Sequence, residues 1–212
     1  MIVLALDTCL AACSAALIRD HETLGFLSEP MTRGHQERLA PMVRELVAPH
    51  DGGFATVDRI GVTLGPGSFT GLRVGLAFAK GLALALGKAC VGVGTLEALS
   101  ESLGIRGPRS AIIDAGRGRV YLQLFDGLSS LGGPEILPVD QAVARLLDTY
   151  GSAQVALTGP GAALVASGLP RASLEARAAP DPRVVARLAL SAPVTAPHPI
   201  YLRPPDAVIK AA

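Results

Sequence analysis

Tryptophan is absent from the 212 residues, and aromatic residues make up only 4% of them. A core of stacked rings is excluded, so Ala, Leu and Val must fill the interior. Charged residues are also scarce, at 17% against 50% hydrophobic, which excludes an intrinsically disordered chain. No basic surplus exists, because 19 Lys and Arg face 18 Asp and Glu. A protein that grips nucleic acid unaided carries a basic surplus or stripe. Any RNA would therefore be held mainly by another subunit. The cysteines, Cys9, Cys13 and Cys90, are odd in number and never spaced C-x-x-C. That argues against a metal site or a disulfide framework and for reduced, mostly buried thiols. No Lys or Arg precedes Leu10-Ala11-Ala12-Cys13, and Asp7 interrupts the apolar start, so no export signal is expected. The longest later apolar stretch, 74–86, is too short for a membrane span and contains Lys80. The expectation is a cytoplasmic protein with no membrane attachment.

What the chain does have is pattern. Short apolar runs at 2–6, 13–18 and 24–28 are separated by tight turns, including Arg19-Asp20-His21-Glu22. They predict three consecutive antiparallel strands. The period then changes. Leu39, Met42, Val43, Leu46 and Val47 share one face of a helix over 36–47, which Pro49 and Asp51-Gly52-Gly53 end. A strand over 59–64 runs through Gly65-Pro66-Gly67-Ser68 into a helix over 70–86, stopped by Gly87. A strand at 91–93 and a helix at 96–103 complete a βββαβαβα lobe over 1–104.

The second lobe, 105–212, begins in the same way. Strands are predicted at 110–113, 119–125, 135–138 and 154–157, with a helix over 141–149. In each half a strand ends in Asp, Asp7 or Asp114, and a later strand runs into Gly-Pro-Gly, at 65–67 or 159–161. This is a weak internal duplication. The second copy is shortened. Beyond residue 168 the chain is Pro-rich and Ala-rich, with one short helix near 182–190. The tail 198–205 must be extended, since proline forbids helix there.

The strongest local signal is Gly65-Pro66-Gly67-Ser68-Phe69-Thr70-Gly71-Leu72-Arg73-Val74-Gly75, a Gly-rich turn feeding a helix. N–H groups at such a helix start can bind an anion. The G-K-[ST] ending of a phosphate-binding loop is missing, and a tight turn with close helix packing explains the glycines equally well. Asp7-Thr8 and Asp114 end their strands where two carboxylates could face one cleft and hold Mg²⁺-nucleotide; the plainer reading is a pair of turn caps. His35 opens the first helix, but the position one turn later is Leu39, so a helical His pair for a metal is absent. Ser68 lies outside a G-x-S-x-G elbow, and no nucleophile with a base is recognisable. The helix over 70–86 is apolar nearly all round and repeats Gly71, Gly75, Ala79 and Ala83 every four residues. It must be buried on more than one side, by the core or by a partner.

Leu4-Ala5-Leu6-Asp7-Thr8, His35-Gln36-Glu37-Arg38-Leu39-Ala40-Pro41, the segment 65–84, Asp114-Ala115-Gly116-Arg117-Gly118-Arg119-Val120-Tyr121 and Pro199-Ile200-Tyr201-Leu202-Arg203 occur in an order that resembles the TsaB (YeaZ) family. The resemblance covers almost the whole chain. The pattern departs from the family at Arg119, where Glu is usual, and at Gly116, often Arg or Met. The resemblance implies an α/β, actin-like and sugar-kinase-like (ribonuclease H-like) duplicated fold with a truncated second lobe. It implies a non-catalytic subunit that scaffolds and activates TsaD, together with the ATPase TsaE. Their complex places a threonylcarbamoyl group on N6 of the adenosine beside the tRNA anticodon. No cofactor is implied for this chain alone; ATP and Mg are used by the complex. The chain alone would be a homodimer, and tRNA would be met only through the complex. The implied partner interface comprises His35, Leu39, Met42, Val43, Leu72, Gly75, Leu76, Ala79 and Ala83. Asp7, Thr8, Gly65, Gly67, Ser68 and Asp114 are the possible nucleotide or anion contacts. Two rivals remain: a stand-alone ATPase or small-molecule kinase of the same fold, and a metallopeptidase, which needs ligands the chain lacks.

Overall fold

The computed structural model describes residues 1–127 and 129–202. The first half runs β1 (Ile2–Asp7), β2 (Ala12–Arg19), β3 (Glu22–Pro30), α1 (His35–Val47), β4 (Arg59–Thr63), α2 (Phe69–Leu86), β5 (Ala89–Val93) and α3 (Thr95–Glu101). The second runs β6 (Arg109–Gly116), β7 (Arg119–Asp126), β8 (Ser129–Ser130), β9 (Glu135–Pro138), α4 (Val139–Tyr150), β10 (Val155–Thr158), α5 (Ala162–Ala166), β11 (Ala172–Glu175) and α6 (Pro182–Ser191). The turn at Gly53–Thr56, β8, α5 and β11 were not expected from the pattern. The extended tail is observed through 202; Arg203, Pro204 and Pro205 lie outside the described residues.

The first sheet has the order β3-β2-β1-β4-β5. β1 pairs antiparallel with β2 and parallel with β4. The second sheet has the order β11-β10-β6-β7-β8, with β9 also on β7. β6 likewise has an antiparallel hairpin partner on one side and parallel β10 on the other. The two halves thus share one strand order. This is the duplicated actin-like, sugar-kinase-like arrangement, and its second lobe is indeed cut short. The helix after the second Gly-Pro-Gly, α5, has 5 residues where α2 has 18.

β1 is buried on both faces, which is why it reads as an unbroken apolar run. Side chains alternate across a strand. Leu4 and Leu6 therefore meet Leu39, Met42 and Val43 of α1 and Leu76 and Ala79 of α2. Val3 and Ala5 face Val185, Ala186 and Ala189 of α6 on the other side. This corrects the lobe boundary, because α6 belongs to 105–212 by sequence yet packs on the first sheet. Gly61 permits it, since a Cβ there would lie 2.4 Å from that of Ala189. Arg59 fixes the end of α6, donating from Nη1 to the carbonyls of Ala189, Leu190 and Ala192, each at 3.0 Å. Those are carbonyls that a helix end leaves without partners. In return, α3 packs Leu96 and Leu99 on Ala111, Ile113 and Phe125 of the second sheet. Each half lends its third helix to the other half.

α2 is longer than the apolar stretch read from the sequence. With a mean hydropathy of 1.4 over 18 residues, it is long and apolar enough to cross a membrane by length and composition alone. Its buried residues are Gly71, Leu72, Gly75, Leu76, Ala79 and Ala83, and these pack inward on the first sheet.

Candidate functional site

The Gly-rich turn closes over the end of β1. A Cβ on Gly67 would lie 2.3 Å from the Cys9 carbonyl oxygen, and one on Gly71 would lie 2.0 Å from that of Thr8. Only glycine allows backbone to approach backbone this closely. Ser68 N–H donates to the Cys9 carbonyl at 2.7 Å, and the Thr8 hydroxyl donates to the Gly71 carbonyl at 2.7 Å. Gly65 N–H donates to Thr95 Oγ1 at 3.1 Å, and Gly71 N–H to Ser68 Oγ at 3.2 Å, so Ser68 is the cap of α2. The N–H groups of Gly65, Ser68 and Gly71 are therefore already engaged.

Asp7 and Thr8 have no exposed surface. Asp7 Oδ1 accepts from the Thr63 hydroxyl at 2.6 Å and from Cys9 N–H at 3.1 Å. Burial pushes the Asp7 carboxyl above its ordinary range, opposed by those two bonds and by the charge of His35. Desolvation of the buried thiolate likewise pushes Cys9 up to about 12, so this thiol is not a nucleophile. Of the possible nucleotide contacts, Asp7 and Thr8 are thus sealed from solvent, and Gly65, Gly67 and Ser68 pack against the chain's own backbone and side chains. Asp114 is exposed, but its Oδ1 accepts from Gly116 N–H at 2.7 Å and caps its own turn. The second Gly-Pro-Gly matches the first in the positive φ of its leading glycine but not in its peptide bond, which is cis only at Gly65-Pro66. Gly159 has φ +99° against +93° at Gly65, and a Gly159 Cβ would lie 2.3 Å from the Ile112 carbonyl oxygen. The donor set does not fit Mg²⁺-nucleotide. Among the described residues no group of three or more His, Cys, Asp and Glu could hold a metal ion.

The expected partner residues also need correction. His35, Leu39, Met42, Val43, Leu72, Gly75, Leu76, Ala79 and Ala83 are all buried within this chain. They form the inner faces of α1 and α2, because the sheet beneath needs those apolar side chains. Gly75 lies against Thr8, where a Cβ would come 2.5 Å from Oγ1. What the two helices leave open is a groove of about 500 Å³ lined by Gln36, Leu39, Phe69, Thr70, Arg73, Val74, Ala77 and Phe78. Leu39 alone of the expected set lines it. At one end Arg73 lies over the Phe69 ring at 3.8 Å and donates from Nε to the Tyr201 hydroxyl at 3.2 Å. Phe69 and Tyr201 face each other at 5.6 Å, each nearly half exposed. Ile200 N–H pins this tail segment to the Leu64 carbonyl at 2.7 Å. Further along α2, Leu84 is 85% exposed.

The family model described as "TsaD: tRNA N6-adenosine threonylcarbamoyltransferase" matches residues 13–177. An uncharacterized protein of Mycobacterium bovis is 35% identical over 97% of this chain and 93% of its own length. The tRNA threonylcarbamoyladenosine biosynthesis protein TsaB of Escherichia coli is 36% identical over 57% of this chain and 53% of its own length. The match thus spans about half of that relative. Among solved structures, YeaZ from Pseudomonas aeruginosa superposes with a TM-score of 0.81 at 28% identity, covering 95% of this chain and 99% of that one. The chain belongs to the TsaB (YeaZ) family. In this TsaB-family chain, sequence reasoning missed Phe69, Arg73 and Ala77 as groove residues and Tyr201 as the partner of Phe69 and Arg73 beside it. Arg73 was the available signal, a charge in the first turns of an otherwise apolar helix. Thr63 was missed as the partner of Asp7, because only the parallel pairing of β4 with β1 brings the two strand ends together.

Proposed function

We propose that this chain is a non-catalytic subunit in tRNA threonylcarbamoyladenosine biosynthesis, which scaffolds and activates a TsaD-type protein together with TsaE. The α1–α2 groove carries this reading. It joins exposed apolar surface on α2 to an aromatic–arginine cluster at its mouth, the composition of an interface rather than of a solvated face. The sealed end of β1 and the exposed, self-capped Asp114 support the absence of nucleotide chemistry in this chain. A net charge of +1 supports contact with tRNA through the complex rather than alone. In the absence of TsaD the same groove pairs two copies of the chain.

The test is co-purification of the tagged chain with the TsaD-type protein of its own cells, with wild type compared against Ala77→Glu. The wild type should retain the partner and support the modified nucleoside in total tRNA. The variant should lose both while staying folded. ATP turnover by the purified chain alone would instead favour the stand-alone ATPase or small-molecule kinase. Retention of the partner by folded Ala77→Glu would move the interface elsewhere.

A further inference from the structure

Arg73 is the one charged residue among those lining the α1–α2 groove; the rest are apolar or uncharged. It is exposed in the second turn of α2 and is held from two sides. Its guanidinium lies over the Phe69 ring at 3.8 Å, and its Nε–H donates to the Tyr201 hydroxyl at 3.2 Å. The segment carrying Tyr201 is itself pinned, because Ile200 N–H donates to the Leu64 carbonyl at 2.7 Å. Ordering a long side chain on binding costs conformational entropy. Here much of that ordering is already present in the free chain.

Those two contacts leave the Nη1 and Nη2 donors open, the fork whose geometry matches a carboxylate. Among the described residues no carboxylate pairs with Arg73. Arg38, Arg109 and Arg183 differ, since each pairs with an acidic side chain of this chain. A surface that covers the groove covers Arg73 with it. A cation taken out of water without a counter-charge is strongly unfavourable, so the covering surface must bring an acceptor. The start of α2 favours an anion at the same place, through the positive end of the helix dipole. One cation among apolar side chains is not the basic stripe that a nucleic-acid backbone requires. The chemistry therefore matches a protein carboxylate better than an RNA phosphate.

We propose that Arg73 is the specificity-determining residue of the groove and receives an aspartate or glutamate side chain of the docking protein through Nη1 and Nη2. The proposal rests on the reading of this groove as the docking site for a TsaD-type protein. It also ranks the two occupants. In a symmetric pair the same patch meets itself, and the groove residues of a second copy offer no carboxylate. Arg73 thus favours the acidic partner over self-pairing.

The test measures the affinity of the full chain for the TsaD-type protein of its own cells, at low and at high NaCl. Arg73→Leu should weaken binding at least about tenfold and flatten its salt dependence, as expected for loss of a desolvated charge pair. Arg73→Glu should weaken it further, and Arg73→Lys should fall between wild type and Arg73→Leu. Self-association of Arg73→Leu should be unchanged or stronger. The decisive arm replaces each Asp and Glu of the partner in turn by Arg. One such replacement should restore binding to Arg73→Glu, which a merely structural role for Arg73 would not produce. If Arg73→Leu binds like wild type while folded Ala77→Glu loses the partner, the carboxylate proposal fails and the groove reading stands. If folded Ala77→Glu keeps the partner, both fail. Absence of rescue by every partner replacement would overturn the proposal. So would intact pairing of Arg73→Leu with weakened tRNA binding by the assembled complex, which would make the acceptor a phosphate.

Discussion

Gly71 sits directly on Thr8: a Cβ added to Gly71 would lie 2.0 Å from the Thr8 carbonyl oxygen, and the Thr8 hydroxyl donates to the Gly71 carbonyl at 2.7 Å. The first turn of α2 is therefore fastened to the end of β1 with no room for a methyl group. Gly71→Ala should destabilise at or above the upper end of the about 1–3 kcal/mol typical of overpacking. Gly81 lies on the same helix, is exposed and would meet nothing within 4 Å. Gly81→Ala should stabilise by roughly 0.5–1 kcal/mol, the helix penalty of glycine. Denaturant unfolding of both variants checks the pair, and equal stabilities would refute the contact.

Leu76 is 8% exposed and Ala79 not at all, although both were expected on the partner face. A carboxylate at either position must enter the core without a partner. Leu76→Glu and Ala79→Glu should therefore unfold the chain rather than merely separate it from a partner. Ala77→Glu lies on the exposed side of the same helix and should leave the circular dichroism of the monomer unchanged. Native-like Leu76→Glu would contradict the observed packing.

Burial raises the Asp7 carboxyl above its ordinary value, against the bonds from Thr63 and Cys9 N–H. The folded state thus keeps this proton to higher pH than the unfolded chain does. From the unfolded value of about 3.9 up through the folded value, stability at this group falls as pH rises. Asp7→Asn keeps an acceptor for both donors and carries no charge. Its stability relative to wild type should increase as pH rises through that window. A stability difference that stays flat or shrinks across the same range, measured by urea unfolding, would argue that Asp7 is not desolvated.

Arg109 is fully buried at the start of β6 and pairs through Nη2 with Glu101 at the end of α3. Its Nη1 donates to the Gly127 carbonyl at 2.7 Å, and the guanidinium lies 5.6 Å from the Phe125 ring centre. Arg109→Met leaves the Gly127 carbonyl without this donor and the Glu101 carboxylate with only exposed Arg106, at 3.0 Å, and should cost up to about 3–5 kcal/mol. Adding Glu101→Leu should recover a large part of that loss. A double-mutant cycle with no coupling between the two positions would show that the pair does not join the lobes.

Much of the fold was legible because α1 carries a clear apolar period, because β1, β2 and α2 are mostly apolar runs of strand or helix length, and because Gly-Pro-Gly recurs after a strand in both halves. The short elements β8, α5 and β11 were not legible. Five residues or fewer carry too little period to separate helix from strand. α6 was seen as a helix but given to the wrong lobe, since its amphipathic pattern says that one face is buried and not against which sheet. The site was read with the correct elements and the wrong faces. On α2 nearly every position is apolar, so the sequence does not mark which stripe turns inward. The Gly71, Gly75, Ala79 and Ala83 row resembles a docking seam, and it is one, but the surface docked is the chain's own first sheet.

The sequence by itself determined the strand and helix periods, the duplication and the family. Each is carried by local spacing or by residue identity along the chain. Only the tertiary structure decided that Asp7 is sealed rather than facing a cleft, that the third helices are exchanged between the lobes, and that α2 turns Arg73 and Ala77 outward while Leu76 and Ala79 turn in. Those outcomes depend on which surfaces meet across long separations in the chain. The meeting of Gly71 with Thr8, or of Gly61 with Ala189, is fixed by steric fit in three dimensions and leaves no periodic trace in the order of residues.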